Sequence, residues 1–296
     1  MKLLKECNLC PRKCGVNRYH EKGFCGATNK VKVAYYSLHQ WEEPLLSGKK
    51  GSGAIFFSHC NLRCCYCQNK KISIDGYGKE ISNKKLGEIF LKLQEMGAHN
   101  INLVTPTHYV PQIAYVLHKL KDKELKIPIV YNTSSYENIG TLVVMRGLVD
   151  IYLADLRYYD DTLAEKYSSC KNYFETATMS IDEMVRQVGP VEIKKGLMKK
   201  GVIVRVLVLP GHTHDAKEII NYLYKTYHDD IIISIMNQYT PVNTCPFENL
   251  NRKVTEKEYE DVINYALTIG VNNAFIQEGD AASESFIPKF DKSILS

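Results

Sequence analysis

Eight of the ten cysteines in this 296-residue chain fall within its first 67 positions. They are Cys7, Cys10, Cys14, Cys25, Cys60, Cys64, Cys65 and Cys67, which leaves Cys170 and Cys245 standing alone. Small secreted scaffolds spread their cysteines for disulfides, whereas a cytosolic chain that crowds them at short spacings does so to bind metal. The opening Met1-Lys2-Leu3-Leu4-Lys5-Glu6-Cys7 has no long apolar stretch of the kind a secretory signal carries. A cytoplasmic protein with metal-binding thiols is therefore expected. No apolar run approaches the roughly 20 residues needed to span a bilayer, so no membrane partner is expected. The net charge of +5, from 38 basic against 33 acidic residues, is too small and dispersed to argue for nucleic acid. It suits an anionic ligand.

The segments on either side of residue 48 read differently. Residues 1–48 hold four cysteines and many turn formers, and read as a metal-binding head. Residues 49–296 read as one larger unit in which short apolar runs alternate with helical patterns. Candidate strands are 54–57, 101–105, 129–133, 151–156, 203–209, 231–236 and 274–277. They are rich in Val and Ile and nearly continuous in hydrophobicity, as strands buried on both faces are. Helical stripes follow from Leu86, Ile89, Phe90 and Leu93, from Ile219, Ile220 and Leu223, and from Tyr259, Val262, Ile263 and Ala266. Ser180 with Glu183 reads as a capping box opening another helix. Repeated β–α units imply a parallel sheet with right-handed crossovers. Six good units and a weaker seventh fall short of a closed eightfold barrel. The expected fold is α/β, an incomplete (β/α)6-type barrel with a small N-terminal extension. Its ligands would sit beyond the carboxyl ends of the strands.

The first strand runs into Ser58-His59-Cys60-Asn61-Leu62-Arg63-Cys64-Cys65-Tyr66-Cys67-Gln68-Asn69. Cys60, Cys64 and Cys67 form C-x3-C-x2-C. That spacing can wrap three corners of a [4Fe–4S] cube and leave one iron without a protein thiolate. Structural zinc wants a fourth ligand, and none is near in sequence. A zinc site or a set of buried thiols remains the alternative. Cys65, adjacent to Cys64, reads as a small packed thiol.

This stretch resembles the hallmark loop of radical S-adenosylmethionine enzymes, most of all the activating enzymes of pyruvate formate-lyase type. The resemblance runs from about Gly51 to about Ser234. The head and the tail Phe275-Ile276-Gln277-Glu278-Gly279-Asp280 resemble a less characterised branch of that group. The resemblance implies that the open iron binds S-adenosylmethionine, whose reductive cleavage gives a 5′-deoxyadenosyl radical that abstracts hydrogen from a substrate. It implies a one-electron reductant such as flavodoxin or ferredoxin, and a protein substrate in which a glycyl radical is made. Tyr66 would lie near the adenine. Thr105 and Thr107 stand where the family often has Gly-Gly-Glu, and offer oxygen acceptors without a carboxylate. Asp155 and Arg157 resemble the family's Asp-Leu-Lys, and Thr133 matches an Asp-Thr pair whose Asp is replaced here by Asn132. Arg205, in the apolar run 202–209, needs an anionic partner, either the cofactor carboxylate or Asp155. Gly211 permits close approach to a nucleoside. Asn237, Gln238 and Tyr239 could edge the adenine or ribose. His108, His212 and His214 read equally well as hydrogen-bonded loop residues.

Cys7, Cys10, Cys14 and Cys25 offer four ligands to zinc or to a second iron–sulfur cluster. Forty-five residues bury too little core to fold alone, so bound metal would stabilise the head. Cys170 and Cys245 read as buried thiols. Two other readings stay open beside glycyl activation: radical modification of a peptide or small molecule, and a non-enzymatic iron–sulfur electron carrier.

Overall fold

The computed structural model describes residues 2–242, 244–277 and 290. Glu278, Gly279 and Asp280 of the tail segment lie outside the described residues. Ten strands form one branched sheet: β1 (Val31–His39), β2 (Ser52–Phe57), β3 (Lys79–Ile81), β4 (Ile101–Val104), β5 (Ile129–Thr133), β6 (Ile151–Asp155), β7 (Glu192–Lys194), β8 (Leu197–Leu207), β9 (Ile232–Met236) and β10 (Ala274–Ile276). The order is β10-β9-β8-β6-β5-β4-β2-β1-β3, with β7 paired to β8 alone. The seven strands from β2 to β10 that carry crossovers are mutually parallel. They coincide with the seven apolar runs of the sequence. No pairing joins β10 to β3 among the described residues, so the sheet is an open, partial barrel. Among the described residues no helix is long and apolar enough to cross a membrane.

The helices form where the apolar stripes are. Asn83–Glu95 starts at Ser82, whose side chain accepts from the Lys85 amide, and buries Leu86, Ile89, Phe90 and Leu93. Glu256–Thr268 opens with a full capping box, Thr255 with Glu258. The capping box expected at Ser180 and Glu183 does not exist. Both residues are buried inside the helix Tyr173–Val188. Ser180 Oγ donates to the Thr176 and Glu137 carbonyls, and Glu183 pairs with Arg146 and Arg186. A polar pair at helical spacing marks a start only when it faces solvent.

Alternate residues of the parallel strands face two different environments. Tyr131, Tyr152, Ala154, Val204 and Ile233 join the main core under the helices. Val130, Ile151, Leu153, Ile203 and Ile232 face the opposite side and pack on Leu46. Leu46 belongs to a strap, residues 40–47, that leaves β1 and crosses this inner face before the chain enters β2. Above the Leu46 layer lies a polar layer, into which the strap delivers Glu42 and Glu43. The strand β1 itself was not legible in the sequence of the head. It pairs antiparallel with β2 across Ser52–Phe57.

The remaining head residues are tied down by polar contacts more than by core. Arg18 is fully buried, and its guanidinium donates to the His108 and Thr28 carbonyls. Thr141 Oγ1 donates to the Leu9 carbonyl at 2.8 Å, and Gln112 Nε2 to that of Asn29 at 2.6 Å.

Burial raises the Glu43 carboxyl to about 7, despite the lowering pull of Arg205. Between about pH 4.5 and 7 the folded chain then holds a proton that the unfolded chain has released, so stability falls as pH rises through that window. Glu137, also raised to about 7 by burial, acts with the same sign. His59 and His108, driven down to about 4 and about 3 by burial, act with the opposite sign below about pH 6.5, so the carboxyl's effect is read as a difference. The thermal midpoint of wild type minus that of Glu43→Gln should fall between pH 5 and 8.

Candidate active site

The C-terminal end of β2 is buried through Phe57, and the chain turns out of the sheet at His59, which takes a left-handed φ of 78°. The cysteine loop follows. The Leu62 amide approaches Cys60 Sγ at 3.4 Å, Ser168 Oγ donates to Cys64 Sγ at 3.0 Å, and Ser73 Oγ donates to Cys67 Sγ at 3.3 Å. Each sulfur therefore has its own donor. Burial pushes the Cys60 thiol up to about 12 and raises Cys67 as well. Thiols so desolvated are held as thiolates only by a bound cation. The loop backbone is clamped from the head. Arg12 donates to the Asn61 carbonyl and to the Ser168 carbonyl, both at 2.9 Å.

Cys60, Cys64 and Cys67 line one cavity at the carboxyl ends of the parallel strands. Among the described residues no group of three or more His, Cys, Asp or Glu side chains is placed to hold a single metal ion, at this loop or at the head. Three thiols of one loop that line one cavity, each with its own donor, suit the corners of a cluster. The [4Fe–4S] group thus fits the residues present.

The same cavity is lined by Tyr66, Thr105, Thr133, Asp155, Arg157, Arg205 and Gln238. Of the candidate cofactor residues Thr107, Asn237 and Gly211 are absent from it. The Thr107 hydroxyl turns away to donate to Glu137 at 2.6 Å. Thr105 has a φ of 59°, a left-handed backbone that favours glycine. Gly211 and His212 line a separate pocket with Tyr159 and Asp215, so the Gly211 turn does not approach this cavity. His108 is buried, hydrogen-bonded to the Ser58 carbonyl and driven down to about 3 by burial, hence neutral.

Beneath the cavity the polar layer is fully interlocked. Arg205 donates from Nε to Asp155 at 2.6 Å, from Nη1 to Glu42 at 3.0 Å and from Nη2 to Asn132 at 2.8 Å. Glu42 also accepts from Asn102 at 2.8 Å. Among the described residues Arg157 makes one ion pair, to Asp155 at 2.5 Å, and its buried Nε has no hydrogen-bond partner. Its cation stands beside Cys64 and Tyr66. The sequence pointed to Asp155 as a partner of Arg205 and missed Glu42. Four polar residues in apolar strands, Asn102, Asn132 and Ser234, all buried, and the half-buried Arg205, were the available signal that further polar groups must meet them.

A second feature was also missed. Tyr66 and Tyr158 share a hydrogen bond of 2.7 Å, Tyr158 and Ser168 another of 2.7 Å, and Ser168 reaches Cys64 Sγ. This buried chain links the aromatic residue of the loop to one of the three sulfurs.

In the head, the Phe24 amide donates to Cys14 Sγ at 3.3 Å and the Ala27 amide to Cys25 Sγ at 3.5 Å. Burial raises Cys10 to about 12 and raises Cys25. The four thiols lie close enough to interact electrostatically with one another.

A model of the radical SAM superfamily matches residues 54–223. An uncharacterized protein of Methanocaldococcus jannaschii is 31% identical over 281 residues, covering 89% of this chain and 75% of that relative. Among solved structures, the fold is similar to SuiB of Streptococcus suis bound to S-adenosylmethionine, at TM-score 0.51 and 14% identity over 74% of this chain and 48% of that one. SuiB bound to its precursor peptide SuiA gives TM-score 0.52 at 14% identity, over 75% and 47%. HydG, a maturase of the [FeFe]-hydrogenase, gives TM-score 0.50 at 14% identity, over 77% and 52%. The chain spans about half the length of these solved proteins.

Removing Arg205 would leave Glu42 without its cation and Asp155 with one fewer partner inside the sheet. Arg205→Met should lower the free energy of unfolding by about 3–5 kcal/mol, the usual cost of breaking a buried ion pair. Denaturant titration checks this.

Proposed function

The chain belongs to the radical SAM superfamily, whose members are enzymes using a [4Fe–4S] cluster and S-adenosylmethionine; from that premise we propose that it generates a 5′-deoxyadenosyl radical and uses it to abstract hydrogen from a polypeptide substrate. The observation that carries this reading is the placement of Cys60, Cys64 and Cys67 around one cavity with Arg157 beside them.

Cys60, Cys64 and Cys67 hold the cluster in this reading, and the bound cluster with its cofactor supplies the one-electron cleavage of the sulfonium C–S bond. The remaining work falls to side chains. Arg157 has donors left over from its pair with Asp155, and binds the cofactor carboxylate. Arg205 is consumed by Asp155, Glu42 and Asn132, and its role is to fix Asp155 and through it Arg157. Tyr66, Thr105, Thr133 and Gln238 wall the nucleoside. The one-electron reductant that such a cluster would need is of the flavodoxin or ferredoxin class.

The open sheet edge supports a substrate that enters laterally as a stretch of backbone. A glycyl residue of a partner protein is the activating-enzyme form of this reading. A free peptide is the form favoured by the fold similarity to SuiB, which is solved with its precursor peptide. In this reading the head's four cysteines are a second ligand set, for an iron–sulfur cluster rather than a zinc ion, since among the described residues they are not placed around a single ion. The support is four unbridged thiols, two of which, Cys14 and Cys25, have a backbone amide aimed at the sulfur.

Anaerobically reconstituted and reduced protein should release 5′-deoxyadenosine and methionine from S-adenosylmethionine. Cys64→Ala should reduce that release to background, and turnover surviving in this variant would sink the reading. A hydrogen bond to a cluster sulfur stabilises the reduced, more negative state. Ser168→Ala should therefore shift the cluster's reduction potential to more negative values at unchanged iron content, and Ser168→Thr should restore it. An unmoved potential in an electron-resonance redox titration would assign Ser168 a packing role only.

A further inference from the structure

Two thiols outside both ligand sets lie against each other. Cys65 Sγ and Cys245 Sγ are 3.1 Å apart although 180 residues separate them in sequence. Neither is bonded to another cysteine. Cys65 sits in the cysteine loop, between Cys64 and Tyr66, with its amide donating to the Tyr167 carbonyl at 2.8 Å. Cys245 is buried in the segment that follows β9. Asn251 fixes it from both sides, accepting from the Cys245 amide at 2.8 Å and donating to the Cys245 carbonyl at 2.9 Å. The two segments meet twice more. Gln68 Nε2 donates to the Gln238 carbonyl at 2.8 Å, and the Tyr66 and Tyr239 rings pack edge-on with centroids 5.8 Å apart. The thiol pair therefore joins the loop that carries the cluster cysteines to the segment that carries Gln238 and Tyr239 along the same cavity.

We propose that Cys65 and Cys245 are a redox-active dithiol that closes to a disulfide under peroxide and ties the two walls of the cavity together. Closure needs the sulfurs to approach by about 1 Å, to the usual bond length near 2.05 Å. The short gap and the backbone anchoring of both residues make that a local movement. With hydrogen peroxide as oxidant, two S–H bonds and the O–O bond break and one S–S bond forms. Two electrons pass from the sulfurs to the peroxide, which leaves with the two thiol protons as two molecules of water. A thiol or dithiol reductant reverses the step by exchange. The pairing has a consequence for the neighbouring ligands. Cys65 bonded to Cys245 cannot pair with Cys60, Cys64 or Cys67 when oxidation removes the cluster, so that route to losing a ligand thiol is closed.

The test is thiol mapping on the full chain. Protein reconstituted anaerobically is exposed to graded hydrogen peroxide, alkylated with iodoacetamide, digested and mapped by mass spectrometry. A peptide linking Cys65 to Cys245 should appear at doses that leave the buried Cys170 unbonded, and should vanish on treatment with dithiothreitol. In Cys245→Ser the linked peptide should be lost, and Cys65 should turn up instead in bonds to Cys60, Cys64 or Cys67. The proposal is overturned if wild-type Cys65 and Cys245 both stay alkylatable across the series, or if wild-type Cys65 bonds to a ligand cysteine. The wild-type map decides this without any variant. It is read on thiols alone, so it stands or falls separately from the cofactor reading.

Discussion

An arginine cannot be placed in the interior of a parallel sheet without anions to meet it, and the geometry of this molecule follows from how Arg205 is met. Asp155 comes from the neighbouring strand in register. Glu42 arrives from far away in sequence, on a strap that crosses the inner face of the sheet. Asn102 and Asn132 hold the same Glu42 oxygen, so four strands and the strap share one network. An apolar layer around Leu46 lies below it and the cavity lies above. The network is thus the floor of the site, and it spends Asp155 and Arg205 on each other. Arg157 and Arg63 line the cavity outside that network.

The loop above this floor has the opposite problem. Two of its thiols, Cys60 and Cys67, are raised by desolvation although a donor faces each sulfur. Bound iron resolves that tension. The hydrogen-bond chain from Tyr66 through Tyr158 and Ser168 to Cys64 then acts on a ligand sulfur from the helix Asp161–Ser168. Arg12 of the head reaches both ends of the arrangement, the loop carbonyl of Asn61 and the carbonyl of Ser168. The head therefore braces the loop.

Much of this was legible in the sequence because it rests on local pattern. Seven short runs of Val and Ile became the seven parallel strands, since continuous hydrophobicity is what burial on both faces requires. The cysteine loop was legible because its ligands are close in sequence. The failures have a common physical origin in long-range pairing. The partner of Arg205 at Glu42, the turning of Thr107 toward Glu137 and the contact of Cys65 with Cys245 all join residues remote in sequence or on different elements. Ser180 and Glu183 misled for a related reason. Their spacing suits a helix start, but tertiary burial places them in its interior.

The central claim is that the cluster held by Cys60, Cys64 and Cys67 keeps one iron open to S-adenosylmethionine. Electron paramagnetic resonance of the dithionite-reduced, reconstituted protein tests it directly, with spectra taken before and after S-adenosylmethionine is added. A reduced [4Fe–4S] signal whose line shape changes on addition, and which Cys7→Ala retains while Cys64→Ala loses, is the expected result. A spectrum indifferent to S-adenosylmethionine, or no cluster signal in wild-type protein, would contradict the account.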